Sequence, residues 1–263
     1  MRIARYTLFI LLLLILSIGG IAKPRINRVI WDVPKTFRGK IVRYQGNGFP
    51  KKLIALTFDD GPTVGTTPKV LDLLKRYHAK ATFYLIGLEE ADHAKLVNRI
   101  IAEGHSVGIH TYSHARHPSA VRASAELTRC EQLLKHQIGH GTLLFRPPYG
   151  ITQNCYTREA ERRGYAVTLW TNCGNDSVSK NAGFVYRSVM RGPLKGAIVL
   201  LHDSREKQHT LRVLPAILRN LKAKGYRFVT VPELLSEWQR WQLAKKSHHS
   251  LANLPSRRRI NHT

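Results

Sequence analysis

The sequence predicts an α/β fold, a parallel (β/α)7 barrel in a single domain, and three observations carry the prediction. Seven apolar, β-rich runs alternate with helical patterns from Leu53 onward, and alternation of that kind builds a parallel sheet joined by crossover helices. Gly104, Gly164 and Gly225 each close a helical pattern just before a strand. The residues with chemistry to offer stand at or just beyond the C-terminal ends of five runs, where barrel enzymes assemble their sites. An open doubly wound sheet is the alternative, but it gathers its ligand site at one switch point.

Taken in order, the chain opens with Arg2 and Arg5 ahead of a charge-free run from Tyr6 to Ala22. Residues 1–22 read as a secretory signal or an N-terminal membrane anchor, since 17 uncharged residues just span a bilayer. The protein is therefore expected to be exported, to a periplasm or cell surface, secreted or held by that segment. Residues 23–50 are a basic lead-in broken by Pro24, Pro34 and Pro50, with Lys40 to Tyr44 a candidate strand covering one end of the domain. Residues 51–243 form the barrel domain. Its strand runs are Leu53–Phe58, Ala81–Ile86, Ser106–His110, Thr142–Arg146, Ala166–Thr171, Ala197–His202 and Arg227–Val231. Helical patterns lie between them at Pro68–Tyr77, His93–Glu103, Ala120–Lys135, Cys155–Arg163, Phe184–Met190 and Leu211–Lys224. In the first, Val70, Leu71, Leu73, Leu74 and Tyr77 make one inward face. A last helix runs from Pro232 to about Leu243, and residues 244–263 are a basic tail expected to be disordered.

The chain has 263 residues, with 42 Lys and Arg against 17 Asp and Glu, a formal net charge of +25. Loss of Arg2 and Arg5 with residues 1–22 leaves +23, so the basicity belongs to the exported part. Such a surplus favours anionic surroundings, which outside the cytoplasm means envelope polymer and lipid rather than nucleic acid. Charge alone would account for the tail and for none of the motifs below. Three cysteines, Cys130, Cys155 and Cys173, allow one disulfide or none and have no zinc-type spacing.

Four segments carry chemistry. Thr57-Phe58-Asp59-Asp60-Gly61-Pro62 ends a buried strand in two adjacent carboxylates, which repel unless a cation or proton is shared; a surface Asp-Gly turn is the commoner fate of such a dipeptide. His110-Thr111-Tyr112-Ser113-His114 places two imidazoles four apart after a strand, and with the carboxylates completes an Asp/His/His set that leaves a metal open positions for water. In Arg146-Pro147-Pro148-Tyr149-Gly150 two prolines fix the backbone that presents Arg146. Leu200-Leu201-His202-Asp203 ends a strand in a histidine suited to proton transfer.

These segments, in this order, resemble the polysaccharide deacetylases of carbohydrate esterase family 4, the NodB homology domain. The motifs T-F-D-D-G-P, H-x-x-x-H, R-x-P-Y and L-x-H appear intact, and the resemblance covers about Lys52 to Leu235. It implies a distorted barrel of fewer than eight strands and metal-dependent removal of N-acetyl, sometimes O-acetyl, groups from sugars. Carried onto this chain, Asp60, His110 and His114 hold a divalent metal, zinc first, with cobalt, nickel or manganese as alternatives. Asp59 is then the base for the metal-bound water that attacks the acetyl carbonyl, with Arg146 keeping it ionised. His202 is the acid that protonates the leaving amine, and the Tyr149 N–H holds the oxyanion. Pro147, Asp176 and Leu200 orient the substrate or the catalytic groups. The expected partner is an N-acetylglucosamine-type polymer, peptidoglycan foremost.

One motif departs from the pattern. Where the family has D-x-x-D-W, this chain has Cys173-Gly174-Asn175-Asp176-Ser177, keeping only the second acid. That puts the protonation of His202 in question and admits a second reading, a feebly catalytic or non-catalytic glycan-binding protein. A Cys155–Cys173 disulfide pinning two loops of the rim is a further expectation.

Overall fold

A computed structural model of the chain describes residues 32–44, 47–205 and 207–252. The expected signal or anchor and the first part of the basic lead-in, residues 23–31, lie outside the described residues, as does the tail beyond Ala252. No helix among the described residues is long and apolar enough to cross a membrane.

The strands are β1 Lys40–Val42, β2 Leu53–Asp59, β3 Ala81–Leu85, β4 Ser106–Ile109, β5 Leu144–Phe145, β6 Ala166–Thr168, β7 Asn172–Cys173, β8 Ala197–His202 and β9 Arg227–Phe228. The helices are α1 Thr67–Arg76, α2 Gly87–Asp92, α3 Ala94–Ala102, α4 Ala120–Ile138, α5 Cys155–Arg162, α6 Ala182–Met190, α7 Gln208–Ala223 and α8 Val231–Ala252. Every strand pair is parallel, in the order β1-β6-β5-β4-β3-β2-β8-β7. β8 lies along one edge of β2; the other edge is shared, β9 against Leu53 and Ile54 and β3 against Leu56 to Asp59. All seven predicted runs contain strands; β1 falls in the candidate Lys40–Tyr44 but pairs with β6 as an edge of the sheet, and β7 is an additional short strand.

The barrel is distorted because its ladder does not close between β1 and β7. The predicted run Ala166–Thr171 splits there. After β6, the Leu169 N–H donates to Val42 O at 3.0 Å and the Thr171 N–H to Ile198 O at 2.8 Å, so the chain itself crosses from the β1 side to the β8 side. One segment thus serves two neighbours and cannot stay one regular strand.

The two-residue pleat sorts the core. Ile54, Leu56 and Phe58 of β2 and Ala197, Val199 and Leu201 of β8 point outward into the cluster shared with the surrounding helices. Ala55, Tyr84, Leu144, Ala166 and Ile198 point into the barrel, whose N-terminal mouth is sealed by Leu234, Leu235 and Trp238 of α8 and by Phe37. Phe49 packs on Trp241 of α8 with ring centroids 5.7 Å apart, and α8 runs on to Ala252, past the predicted end at Leu243.

The proposed disulfide is absent: Cys130, Cys155 and Cys173 are all free. Each rim thiol is engaged close by instead, Cys155 accepting from Arg158 at 3.2 Å and Cys173 from the Asn175 N–H at 3.3 Å. A shared rim does not supply the Cβ geometry a disulfide demands.

Candidate active site

Strand ends deliver the side chains. Asp59 closes β2 and His202 closes β8, in register with each other, while His110 and Arg146 follow β4 and β5 directly. Local backbone then departs from regular structure. Asp60, Thr111, His114, Tyr149 and Asn175 adopt positive φ of 73°, 67°, 56°, 59° and 56°. Only one other described non-glycine residue does so, His78 at the opposite end of the barrel. Each such residue costs on the order of 1–3 kcal/mol, so strain is concentrated around this mouth. Gly61 allows the turn after Asp60, since a Cβ there would lie 2.4 Å from the buried Asp203 carboxylate.

Asp60, His110 and His114 converge. Asp60 Oδ1 lies 3.5 Å from His110 Nε2 and 3.4 Å from His114 Nε2, and it is buried with no hydrogen-bond donor. His110 Nδ1 donates to the Arg146 carbonyl at 2.7 Å, which leaves the Nε2 lone pair facing the carboxylate. Donors around a tetrahedral cation at about 2.0–2.2 Å stand about 3.3–3.6 Å apart, so the triad fits a divalent metal of that kind. Its ligand atoms all fall within 4.8 Å of one another. Burial pushes the Asp60 carboxyl up, but contact with His110 and the charges of His110, His202 and His114 outweigh it and hold the group well below the usual carboxylate range.

Arg146 is completely buried and sets Asp59. One guanidinium nitrogen donates to Asp59 Oδ1 and to Thr57 Oγ1, both at 2.7 Å, and Nε donates to Thr168 O at 3.0 Å. The guanidinium lies 4.0 Å over the Tyr84 ring, whose hydroxyl is hydrogen-bonded to Thr168 Oγ1. That ring fits because Gly108 beside it has no side chain; a Cβ would come within 2.6 Å. Asp59 Oδ2, 3.8 Å from His110 Nε2, is the oxygen turned toward the metal triad.

On the neighbouring strand end, His202 forms a second buried ion pair, with Asp176. His202 Nδ1 donates to Asp176 Oδ1 at 2.7 Å, and the His202 N–H donates to Asp176 Oδ2 at 2.8 Å. Thr210 also donates to Oδ2, at 2.7 Å, and His209 holds the Asp176 carbonyl at 2.6 Å. Burial pulls the His202 imidazolium down, but the Asp176 hydrogen bond and charge, with the more distant Asp59 and Asp60, raise its pKa overall. Burial likewise raises the Asp176 carboxyl, and His202 with Thr210 more than reverses it. Asp176 is thus the main support of His202 in spite of the altered motif. Cys173 stays a neutral thiol, since burial and the charges of Asp176 and Asp59 raise its pKa against the Asn175 N–H and Arg146.

Of the predicted site residues, Asp59, Asp60, His110, His114, Pro147, Tyr149, Leu200 and His202 line one cleft of about 300 Å³, and Arg146 and Asp176 stand behind it. The altered motif's Cys173 and Ser177 line the same cleft, whereas sequence reasoning missed Trp170 as a cleft wall and Thr57, Tyr84 and Thr168 as the supports of Arg146. Thr57, Tyr84 and Thr168 share the inward parity of Asp59, which is the one signal that marks them.

Comparison with known proteins agrees with this geometry. A family model described as polysaccharide deacetylase matches residues 46–168. A peptidoglycan-N-acetylglucosamine deacetylase of Bacillus cereus is 35% identical over 212 residues, 79% of this chain and 92% of the relative. The peptidoglycan-N-acetylglucosamine deacetylase PgdA of Listeria monocytogenes is 38% identical over 71% of this chain, which spans only 39% of that relative's length. Among solved structures, peptidoglycan deacetylase PdaC from Bacillus subtilis superposes with a TM-score of 0.68 at 30% identity, covering 76% of this chain and 97% of that one.

Proposed function

The chain belongs to the polysaccharide deacetylase family, and on that premise we propose that it hydrolyses N-acetyl groups on an N-acetylglucosamine-type polymer, peptidoglycan foremost. The observation that carries the proposal is that two buried pairs, Arg146–Asp59 and Asp176–His202, bring Asp59 and His202 into one cleft with the Asp60/His110/His114 triad. Acyl-amide hydrolysis needs a base for water and an acid for a poor leaving group, and each pair suits one of them.

Asp60, His110 and His114 would hold a divalent metal, zinc before cobalt, nickel or manganese. Such an ion supplies Lewis-acid polarisation of the acetyl carbonyl and makes water acidic enough to attack at neutral pH. Asp59 takes the proton of the attacking water on Oδ2, because Oδ1 is committed to Arg146. His202, protonated and oriented through Nδ1 by Asp176, gives the Nε2 proton to the departing sugar amine. The Tyr149 N–H holds the developing oxyanion; the left-handed backbone at Tyr149, locked after Pro147 and Pro148, supports that assignment. Tyr149, half exposed, and Trp170 offer aromatic surface to a sugar ring. Residues 1–22 support an exported location, and the +25 charge supports an anionic envelope as the surroundings.

Acetate release from peptidoglycan and from acetylated chito-oligosaccharide tests this, with Asp59→Asn as the blank. Release is expected to stop with a chelator, to return with zinc, and to fall on the order of 10²–10⁴-fold in the blank. Retention of either glycan with no metal-dependent acetate would favour the glycan-binding reading, which Cys173 and Ser177 keep in view.

A further inference from the structure

Outside the catalytic groups, one carboxylate collects more hydrogen bonds than any cleft residue. Glu126 of α4 is 8% exposed. Its Oε2 accepts the backbone N–H of Tyr112 at 3.2 Å and of Ser113 at 3.0 Å, and the Tyr156 hydroxyl at 2.7 Å. Its Oε1 accepts Ser113 Oγ at 2.7 Å and Arg122 Nε at 2.8 Å. Three of these five donors belong to the loop between the two metal-facing histidines.

The histidines are held differently. His110 is fixed by its own ring, through the bond to the Arg146 carbonyl on the neighbouring strand. His114 has ring contacts with His110 and Tyr149 and its approach to Asp60, so its place follows from the loop backbone. That backbone is strained at Thr111 and His114 and is clamped from two sides. The Gly87 and Leu88 N–H groups of α2 hold the Thr111 and Tyr112 carbonyls, each at 3.0 Å, while Glu126 holds the Tyr112 and Ser113 N–H groups. Left without an acceptor, two adjacent amides and a hydroxyl would turn toward water and carry His114 with them.

We propose that Glu126 is a positioning residue that sets the cation affinity of the Asp60/His110/His114 site by clamping the Tyr112–Ser113 backbone and so placing His114. The inference rests on the metal reading of that triad. Partners that orient metal ligands from behind are worth about 10–100-fold in affinity, and Glu126 acts one step back, through the main chain.

Zinc affinity of the full chain, read by competition with a chromophoric chelator without any glycan, tests it. Glu126→Ala is expected to weaken zinc binding about tenfold or more, and Glu126→Gln, which keeps one acceptor oxygen, about threefold or more. Leu134→Ala, a fully buried change on the same helix, is the control that lowers thermal stability and leaves zinc affinity within about twofold. If Glu126→Ala does not fold, the Gln variant decides alone. Zinc binding by a folded Glu126 variant within twofold of the parent would overturn the inference. No zinc binding by the parent chain would instead overturn the metal reading, and this inference with it.

Discussion

At the N-terminal mouth of the barrel the inward positions are Ala55, Leu144, Ala166 and Ile198; one pleat repeat higher on the same strands they are Thr57, Arg146, Thr168 and Leu200, and β2 and β8 then end in Asp59 and His202. The parity is unchanged while the chemistry inverts. The lower mouth is filled by apolar side chains and plugged by Trp238; the upper one carries five left-handed residues and two buried ion pairs. The comparison teaches that stability is stored at one end and spent at the other.

The largest expected effect breaks the lower end. Trp238 is fully buried against Phe37 and Tyr44, with ring centroids 6.4 and 6.5 Å away. Trp238→Ala should cost about 3–5 kcal/mol, read as a lower urea midpoint. Zinc affinity of the folded fraction should stay within about twofold, because that ring packs with Phe37 and Tyr44 at the opposite end of the barrel from the triad. A matching loss of zinc affinity would show that the two ends are not separable.

An intermediate effect sharpens the upper end. Asp176 raises the pKa of His202 in spite of burial, so the folded imidazole keeps its proton to higher pH than an unfolded one, whose value is about 6.5. The stabilisation from this pair is full below about 6.5 and is lost as pH rises through the folded value. In the proposed mechanism activity requires protonated His202, so the alkaline limb of the pH profile reports the same group. Asp176→Asn removes the charge and should move that limb down by about 1–3 pH units, with less change at the acid side. An alkaline limb that stays in place would assign it to some group other than His202.

How much of this was legible in the sequence follows from where each residue does its work. Asp59, Asp60, His110, His114 and His202 act through their own side chains at the ends of strong apolar runs, and both run and residue are contiguous in the sequence. Asp176 was reached through resemblance alone, since nothing local distinguishes it from a surface turn acid. Glu126 lies amid an unremarkable helical pattern, and its partners are main-chain groups, which leave no mark in a sequence. The split of Ala166–Thr171 is hidden for a related reason: its cause is the gap between β1 and β7, set by the whole sheet. The Cys155–Cys173 bridge does not form because proximity along a rim does not supply the far narrower geometry of a disulfide.

The smallest expected effect falls on the residue that most disturbed the sequence pattern. Cys173 lines the cleft, yet its sulfur accepts only the Asn175 N–H, at 3.3 Å, and burial keeps it a neutral thiol. Its loss removes one weak hydrogen bond and no charge. Cys173→Ala should therefore change kcat/KM by no more than about twofold and leave the alkaline limb where it is, since Asp176 already holds His202. Cys173→Asp would add a carboxylate to the side of the cleft that holds Asp176, and a further negative charge favours the imidazolium. That variant should move the alkaline limb upward, opposite to Asp176→Asn. A large loss of activity in Cys173→Ala would mean that the thiol has a role in the reaction beyond filling the wall.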